Sequence, residues 1–596
     1  MWIVCIILSV GCLGLASGLC LVLNRLQTNQ KRKIHLFHSL FVGVFAATLI
    51  MFIPIHLEDS NGTLMSDIHR ILLCIFHSMQ VFTMGCDYTT ISDGLRQCPS
   101  WLNLSYQIWG TILYVLAPIF TFGFVLSLFK NISAYLRYFH AFFKDLYVFS
   151  ELNEKSLTLA CDIKKNDQKA VIVFTDVFEE NEESVYEIVD RARKMGAICF
   201  KKDLLTINFN LHSKKRQISV FAIGDNETEN LNQSLRIIEV YKSRSNTRLY
   251  VFSARVESEL LLTSVDKGEI KVRRINHVQS LINRVLYENG ELLFNGATPC
   301  QDGTKEISAV VVGMGRHGTE MVKALAWYCQ MDGYKIEINT FDQDDLAEEK
   351  FIALAPELMA ADYNGVMLDG EAQYKITVHS GIDVQTAKFA NEIRKLKNAT
   401  YVLVALGNDD INISTAVTLR MLFERMGIHP VIQAIVYNTQ QKKALTGIRN
   451  YRGQLYDIDF IGDLESYYTE DVIIDSALEA EALQRHLKWG KEEEFWTYEY
   501  NYRSSVASAI HMRARIRCGI PGASKKEDEL TDEERTIIET LEHRRWNAYM
   551  RAEGYVFSGS KDKSSRNDLA KMHHDLVDYA SLAEDVKRLD SKVGTM

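Results

Sequence analysis

The chain has 596 residues, 47% of them hydrophobic, and a formal net charge of -9, which leaves room for several domains and is too polar on average for a protein built mainly of membrane spans. No Lys/Arg tract exceeds Lys31-Arg32-Lys33, which argues against a nucleic-acid groove. The 11 cysteines include no CxxC spacing, so neither a structural zinc site nor a dithiol redox motif is expected.

From Met1 to Phe129 apolar residues come in long runs, whereas the remainder mixes short apolar runs with dense charge. A hydrocarbon core about 30 Å thick needs roughly 20 apolar residues in a helix, and residues 2–24, 35–57 and 106–129 meet that requirement. The first segment lacks the basic start of a cleaved signal peptide and is read as a retained span. Residues 65–85 are open between a span, a re-entrant helix and an interfacial one, because Asp67 and Arg70 would each cost about 2.5–3.5 kcal/mol at a bilayer centre but little at an end. Arg25, Lys31, Arg32 and Lys33 fall on the same side as Lys130, Arg137 and Lys144 only if three segments cross. The expectation is a multi-pass protein of the inner or plasma membrane, with the N-terminus and residues 58–105 outside and the C-terminal domains cytoplasmic.

The outer loop holds an Asn61-Gly62-Thr63 glycosylation sequon and an apolar stretch at 71–84. Thr83-Met84-Gly85-Cys86-Asp87-Tyr88 has the outline of a filter but lacks the second glycine of the potassium-channel TVGYG. The other reading is an extracellular cap stapled by Cys86 and Cys98. In the third span Thr111, Tyr114, Pro118 and Thr121 recur at helical spacing. Thr111, Tyr114 and Thr121 are therefore candidates to face a pore, or else to pack between helices.

After an aromatic amphipathic connector at 131–144, strand and helix patterns alternate, which predicts parallel sheets with crossover helices. A first copy, 145–290, begins with a strand at 146–149, passes through Ser150-Glu151-Leu152-Asn153 into a helix, and reaches a strand ending at Asp176. Strands at 218–223 and 248–253 follow. It has no glycine-rich turn, so its backbone cannot come close to phosphates. A structural role or a different ligand is expected there.

The second copy, 306–490, carries a strand at 307–312, the turn Gly313-Met314-Gly315-Arg316-His317-Gly318, a helix, and a strand ending at Asp342. Glycines let backbone approach a pyrophosphate, the helix N-terminus favours its charge, and the acid can hold ribose hydroxyls. Strands at 401–406, 431–436 and 457–461 follow. Asn408 and Asp409 sit at the carboxyl end of a strand, where open sheets bind ligands, although both are also ordinary helix-capping residues. On these residues the region from 145 to about 485 resembles paired TrkA-N domains, the Rossmann modules of potassium-conductance regulators. That resemblance implies cytoplasmic domains that bind nucleotides or ions and move membrane helices.

Residues 498–590 lose the strand pattern and are expected to be mainly α. Thr531-Asp532-Glu533-Glu534 is a capping box opening a helix that stops at Gly554. On it Glu539, His543, Asn547 and Arg551 fall four apart, with Glu542 and Trp546 alongside. Such a stripe is either a solvated face or part of an aromatic-stacking, anion-holding pocket. Tyr502-Arg503-Ser504-Ser505, Glu542 to Asn547, Gly554-Tyr555 and His573 to Tyr579 together resemble the ryanodine-receptor repeat domain of bacterial proteins. The resemblance implies a ligand-sensing module involving Arg503, Ser504, Glu542, His543, Trp546, Asn547, Arg551, His574 and Asp575. His573 and His574 are adjacent, unlike an i, i+4 metal pair, so no metal site is expected.

The leading expectation is a ligand-gated membrane effector or ion channel sensing an adenine nucleotide or nucleotide-derived messenger. Its partners would be lipid, a small nucleotide and further copies of itself, since three spans cannot enclose a generous pore. Architectures of this kind are associated with bacterial antiviral signalling, a link by fold-level analogy. The alternatives are a regulatory subunit of a potassium or other ion transporter and, further off, a membrane-attached nucleotide-dependent oxidoreductase. No catalytic acid, base or nucleophile set accompanies the glycine turn, so the chain is not expected to be an enzyme.

Overall fold

The computed structural model describes residues 1–25, 33–57, 64–85, 89–96, 98–177, 183–207, 209, 212–359, 374–474 and 476–595. The expected sequon, Cys86 and the basic pair Lys31 and Arg32 lie outside the described residues. The chain forms two compact units, one built on Met1–Phe142 and the other on Phe143–Val177 together with Lys202–Met596.

The first unit is helical, with α1 (Trp2–Arg25), α2 (Lys33–Leu57), α3 (Leu64–Phe82), α4 (Thr89–Gly94) and α5 (Ser100–His140). Its interior is filled by Val44, Ala47, Met51, Phe52, Tyr106, Leu113 and Ala117. Polar groups that enter find partners at three points: Ser9 Oγ donates to Ala47 O (2.8 Å), Trp109 Nε1 to Ser9 Oγ (2.8 Å) and Tyr106 OH to Met51 O (2.5 Å). Gly43 lets α1 and α2 approach closely, since a Cβ there would overlap that of Ala16, the small-residue packing common between apolar helices.

Among the described residues one helix, Ser100–Thr121, is long and apolar enough to cross a membrane by length and composition; the apolar stretches Trp2–Gly18 and Leu40–His56 are shorter. The ambiguous segment at 65–85 is α3, with Asp67 in its first turn and Cys74, Ser78, Val81 and Phe82 buried. Thr111 and Thr121 hydroxyls donate to carbonyls one turn back in their own helix, Gln107 O (2.8 Å) and Ala117 O (3.0 Å). The expected connector at 131–144 is helical over most of its length, α5 continuing to His140. No helix-stopping residue stands at 129, and chain composition alone does not end a helix.

The second unit contains two parallel sheets. In the first copy β1 (Leu146–Phe149), β2 (Val171–Phe174), β3 (Ile218–Ala222), β4 (Thr247–Phe252) and β5 (Lys271–Ile275) lie in the order β2-β1-β3-β4-β5. These neighbours all pair in parallel, Leu146 lying beside both Val171 and Ile218. The second copy has β6 (Lys305–Val312), β7 (Tyr334–Phe341), β8 (Tyr374–His379), β9 (Tyr401–Val404), β10 (Val431–Ile435) and β11 (Ile458–Ile461), in the order β8-β7-β6-β9-β10-β11. This is the Rossmann order, with the reversal between β6 and β9. Val310, Val312, Val402, Val404, Ile432 and Ala434 are buried, as central parallel strands covered on both faces require.

Helices α6 (Glu154–Asn166), α7 (Glu227–Tyr241) and α8 (His277–Asn289) belong to the first copy, α9 (Arg316–Tyr328) and α10 (Asp409–Met426) to the second. Residues beyond β11 then return to the first copy. Glu470 N donates to Asp162 Oδ2 (2.8 Å), Tyr467 OH to His277 O (2.6 Å), and Glu479 of α11 (Ala477–His486) pairs with Arg273. The C-terminal domain consists mainly of α12 (Glu499–Arg517), α13 (Asp532–Ala552) and α14 (Glu584–Gly594), with a two-residue parallel pairing of Val556–Phe557 and Met572–His573. As the sequence reading has it, the chain after the N-terminal helices is α/β followed by mainly α.

Candidate functional site

Two places gather the residues singled out from sequence. The first is the glycine turn between β6 and α9. Gly313 has φ 98°, and a Cβ there would crowd Ala405 O; a Cβ on Gly318 would overlap the Gly313 carbonyl oxygen; around Gly315 there is open space. The first and third glycines thus serve the turn and the helix–strand contact, and the middle one leaves backbone accessible.

The polar residues of this turn are already engaged. Asp342 accepts hydrogen bonds from Met314 N (2.6 Å) and Asp344 N (2.8 Å), so its carboxylate braces the turn. Arg316 Nη1 lies 3.3 Å from Glu227 Oε1 on the first copy, and His317 Nε2 lies 2.8 Å from Tyr437 OH. Burial, with His277 and Arg316 nearby, pushes His317 down to about 4, so it is neutral at pH 7. Asn408 caps α10 by accepting from Ile411 N (3.1 Å). Asp409 accepts from Tyr437 N (3.1 Å) and Asn438 N (2.9 Å). Arg316 thus ties the turn to the first copy, while Asp342, His317, Asn408 and Asp409 are engaged within the second. In the first copy, Asp176 stands at φ 55° and Lys155 pairs with Asp225 (2.9 Å).

The second place is a cavity of about 540 Å³ in the C-terminal domain, within the size range of small-molecule sites. Ser504, Ser505 and Ser508 of α12, Glu542, His543, Arg545 and Trp546 of α13, and Asp590 of α14 line it, with His573, His574 and Asp575 on the connecting loop. Tyr500, Lys563, Arg566 and Asp585 complete the wall. Trp546 stands between His543 (ring centroids 6.0 Å, stacked) and His573 (4.9 Å, edge-on), and His573 stacks on His574 (4.7 Å).

The floor is a buried ionic cluster. Glu542 lies between two guanidiniums, taking Arg515 Nη2 at 2.5 Å and Arg545 Nη2 at 2.7 Å. Burial alone would raise the Glu542 carboxyl, but Arg545 and Arg515 outweigh it and hold it at about 2. Arg515 Nε donates to His511 Nδ1 (2.9 Å), and His511 Nε2 in turn meets Gln330 O (2.8 Å), just beyond α9. Burial pushes Asp590 up despite its hydrogen bond to His543. Burial, Arg566 and His574 push His573 down to about 4.

The stripe Glu539, His543, Asn547 and Arg551 is neither a solvated face nor the cavity wall as a whole. It is buried and clasps the following loop: Tyr579 OH donates to Glu539 (2.6 Å), His543 Nε2 and Asn547 Nδ2 both reach Val577 O (2.7 and 2.8 Å), and Arg551 Nη2 donates to Leu576 O (3.4 Å). Of the sequence-derived sensing residues, Ser504, Glu542, His543, Trp546, His574 and Asp575 line the cavity. Arg503 instead pairs with Glu259 and Glu553, and Arg551 with Glu357 (3.5 Å) of the second copy. Arg545, Ser508, Tyr500, Lys563 and Arg566 were missed. Arg545 was within reach, since Glu542, Arg545 and Trp546 follow i, i+3, i+4 spacing.

Among the described residues, His573, His574 and Asp575 also bring three ligand-type atoms within 4.8 Å of one another. One ring nitrogen of that group is already used, His573 Nδ1 accepting from Asp575 N (3.1 Å). No protein-family model matches the chain. No curated protein is similar enough to it to count as a relative.

Proposed function

We propose that the chain is a ligand-gated membrane effector, an ion channel or pore, whose Rossmann and C-terminal domains sense a nucleotide or nucleotide-derived messenger in the cytoplasm. The observation that carries this reading is the C-terminal cavity, which combines an indole, imidazoles and a buried guanidinium in a volume of about 540 Å³. Aromatic faces and fixed cations are what a planar, anionic ligand needs.

Two further features support it. Ile7, Val42, Ile68, Ile71, Phe76, Ile108, Val115 and Ile119 of the N-terminal unit are exposed, an apolar surface suited to lipid or to other copies. The bundle interior of one copy is packed with side chains, so conduction calls for a homo-oligomer in which Thr111, Tyr114 and Thr121 are candidates for a shared path. The second feature is continuity: Arg545, Glu542, Arg515, His511 and Gln330 form one chain of polar contacts from the cavity floor to the end of α9. At the other end of α9 is the glycine turn, and α5 leads through 141–145 into β1. A ligand shifts such an assembly only by binding one state more tightly than the other.

The resemblance to TrkA-N and ryanodine-receptor repeat domains leads the same way, and links the chain to antiviral signalling. The packed bundle interior equally suits a regulatory subunit of a separate ion transporter. Co-purification separates the two readings: an effector conducts when reconstituted alone, while a regulatory subunit is recovered with another membrane protein and is silent without it.

A further inference from the structure

The floor of the C-terminal cavity carries more positive charge than its partners neutralise. Arg515 and Arg545, 1% and 2% exposed by side chain, share the single carboxylate of Glu542. Among the described residues Arg485, also buried, donates only to the carbonyl oxygens of Val593 (2.7 Å) and Thr595 (2.5 Å). At the rim the charges cancel, Lys563 pairing with Asp585 (2.9 Å) and Arg566 with Asp568 (3.0 Å). Asp590, the other carboxylate near Arg515 and Arg545, lies on the same wall, and burial favours its neutral form, so the unbalanced charge is deep, not at the mouth.

Unused hydrogen-bonding capacity sits in the same place. Arg545 gives Nε and Nη2 to Glu542, while its Nη1 is buried with no acceptor among the described residues. Ser508 Oγ and His574 Nδ1 are likewise buried without partners among them, and all three residues line the cavity. Buried donors left unmet are costly. His574 Nε2 lies 3.2 Å from Asp575 Oδ2; with the proton of a neutral ring on that nitrogen, Nδ1 offers a lone pair. It wants a hydroxyl or N–H from the ligand, not an anion.

We propose that this cavity binds a phosphorylated nucleoside whose phosphate seats deep on Arg545 Nη1, with Ser508 as a further donor, whose hydroxyl meets His574 Nδ1, and whose base lies against Trp546. This deepens the sensing role and rests on the cavity being the ligand site. The guanidinium fork fits a phosphate, and a free inorganic anion would leave most of the cavity unfilled. An uncharged nucleoside would leave the floor unneutralised.

The test is calorimetric titration of the detergent-purified full-length chain with adenosine, AMP, ADP and inorganic pyrophosphate at one ionic strength. A charge-assisted hydrogen bond of about 1.5–3 kcal/mol corresponds to roughly ten- to hundredfold in affinity. AMP or ADP should exceed adenosine by that factor, and pyrophosphate should compete. Arg545→Met keeps Glu542 paired one to one with Arg515, so it should fold, retain adenosine binding and lose the phosphate advantage. Ser508→Ala, which disturbs no ion pair, should lower ADP affinity several-fold. Equal binding of adenosine and ADP in the wild type, binding of neither, or a phosphate advantage undiminished in both variants would overturn the proposal. Failure of the gating role would show differently, as normal ADP binding with unchanged membrane flux.

Discussion

Replacing Glu542 with Leu removes the carboxylate that pairs with both Arg515 and Arg545 and leaves both guanidiniums buried with no direct ion-pair partner among the described residues. Breaking a buried pair by removing one partner destabilises by about 3–5 kcal/mol. With tenfold for each 1.4 kcal/mol, amide exchange of the buried α13 residues, measured by mass spectrometry on the full-length chain, should accelerate roughly a hundred- to several-thousand-fold if it proceeds through opening of this domain. Arg545→Met, which leaves one guanidinium for one carboxylate, should accelerate exchange far less. The pH dependence has a fixed sign. Glu542 is held at about 2, below the ordinary carboxyl range, so its contribution is complete above that range and is lost progressively as pH falls from it through about 2. Protection due to this residue should thus be flat through neutral pH. Exchange in Glu542→Leu equal to the wild type would refute the claim that the cluster holds the cavity floor.

Other consequences concern the turn, the histidines and topology. Gly318→Ala forces a Cβ onto the Gly313 carbonyl and should lower stability by about 1–3 kcal/mol, whereas Gly315→Ala, facing open space, should melt within about 0.5 kcal/mol of the wild type; equal losses would contradict the roles assigned to the two glycines. His573, pushed down to about 4, stays neutral in the fold while the unfolded chain takes up its proton as pH falls through about 6.5. Melting temperature should therefore drop between those values, and drop less in His573→Asn; identical profiles would remove His573 from the account. In whole cells Ser92→Cys should react with a membrane-impermeant maleimide and Ser564→Cys only after permeabilisation, and labelling of both in intact cells would reverse the proposed topology.

The strands other than β5 and β8, which the sequence analysis does not anticipate, are legible because their apolar runs end at residues with an unambiguous local task. Gly313 and Gly318 make the turn, Asn153, Asn226 and Asn408 cap helices, and these signals do not depend on the rest of the fold. The site was legible only in part. Helical spacing placed Glu539, His543, Asn547 and Arg551 on one stripe correctly, but which loop covers it is a tertiary fact, and that loop turned out to be 576–579. Arg551 and Arg503 reach Glu357 and Glu259 across domain boundaries, distances in sequence that no local pattern encodes. The return of 464–497 to the first sheet is hidden for the same reason, since its partners Asp162, Arg273 and His277 lie some two to three hundred residues earlier.

The central claim, that occupancy of the C-terminal cavity controls permeability, is tested most directly by flux from liposomes reconstituted with the full-length chain alone and challenged with AMP, ADP and adenosine. The account predicts that a phosphorylated nucleoside changes ion or small-dye flux in the wild type and that Trp546→Ala and Arg545→Met abolish the response without altering oligomer size. Flux that ignores all three compounds while ADP is bound, or a response that persists in both variants, would contradict it.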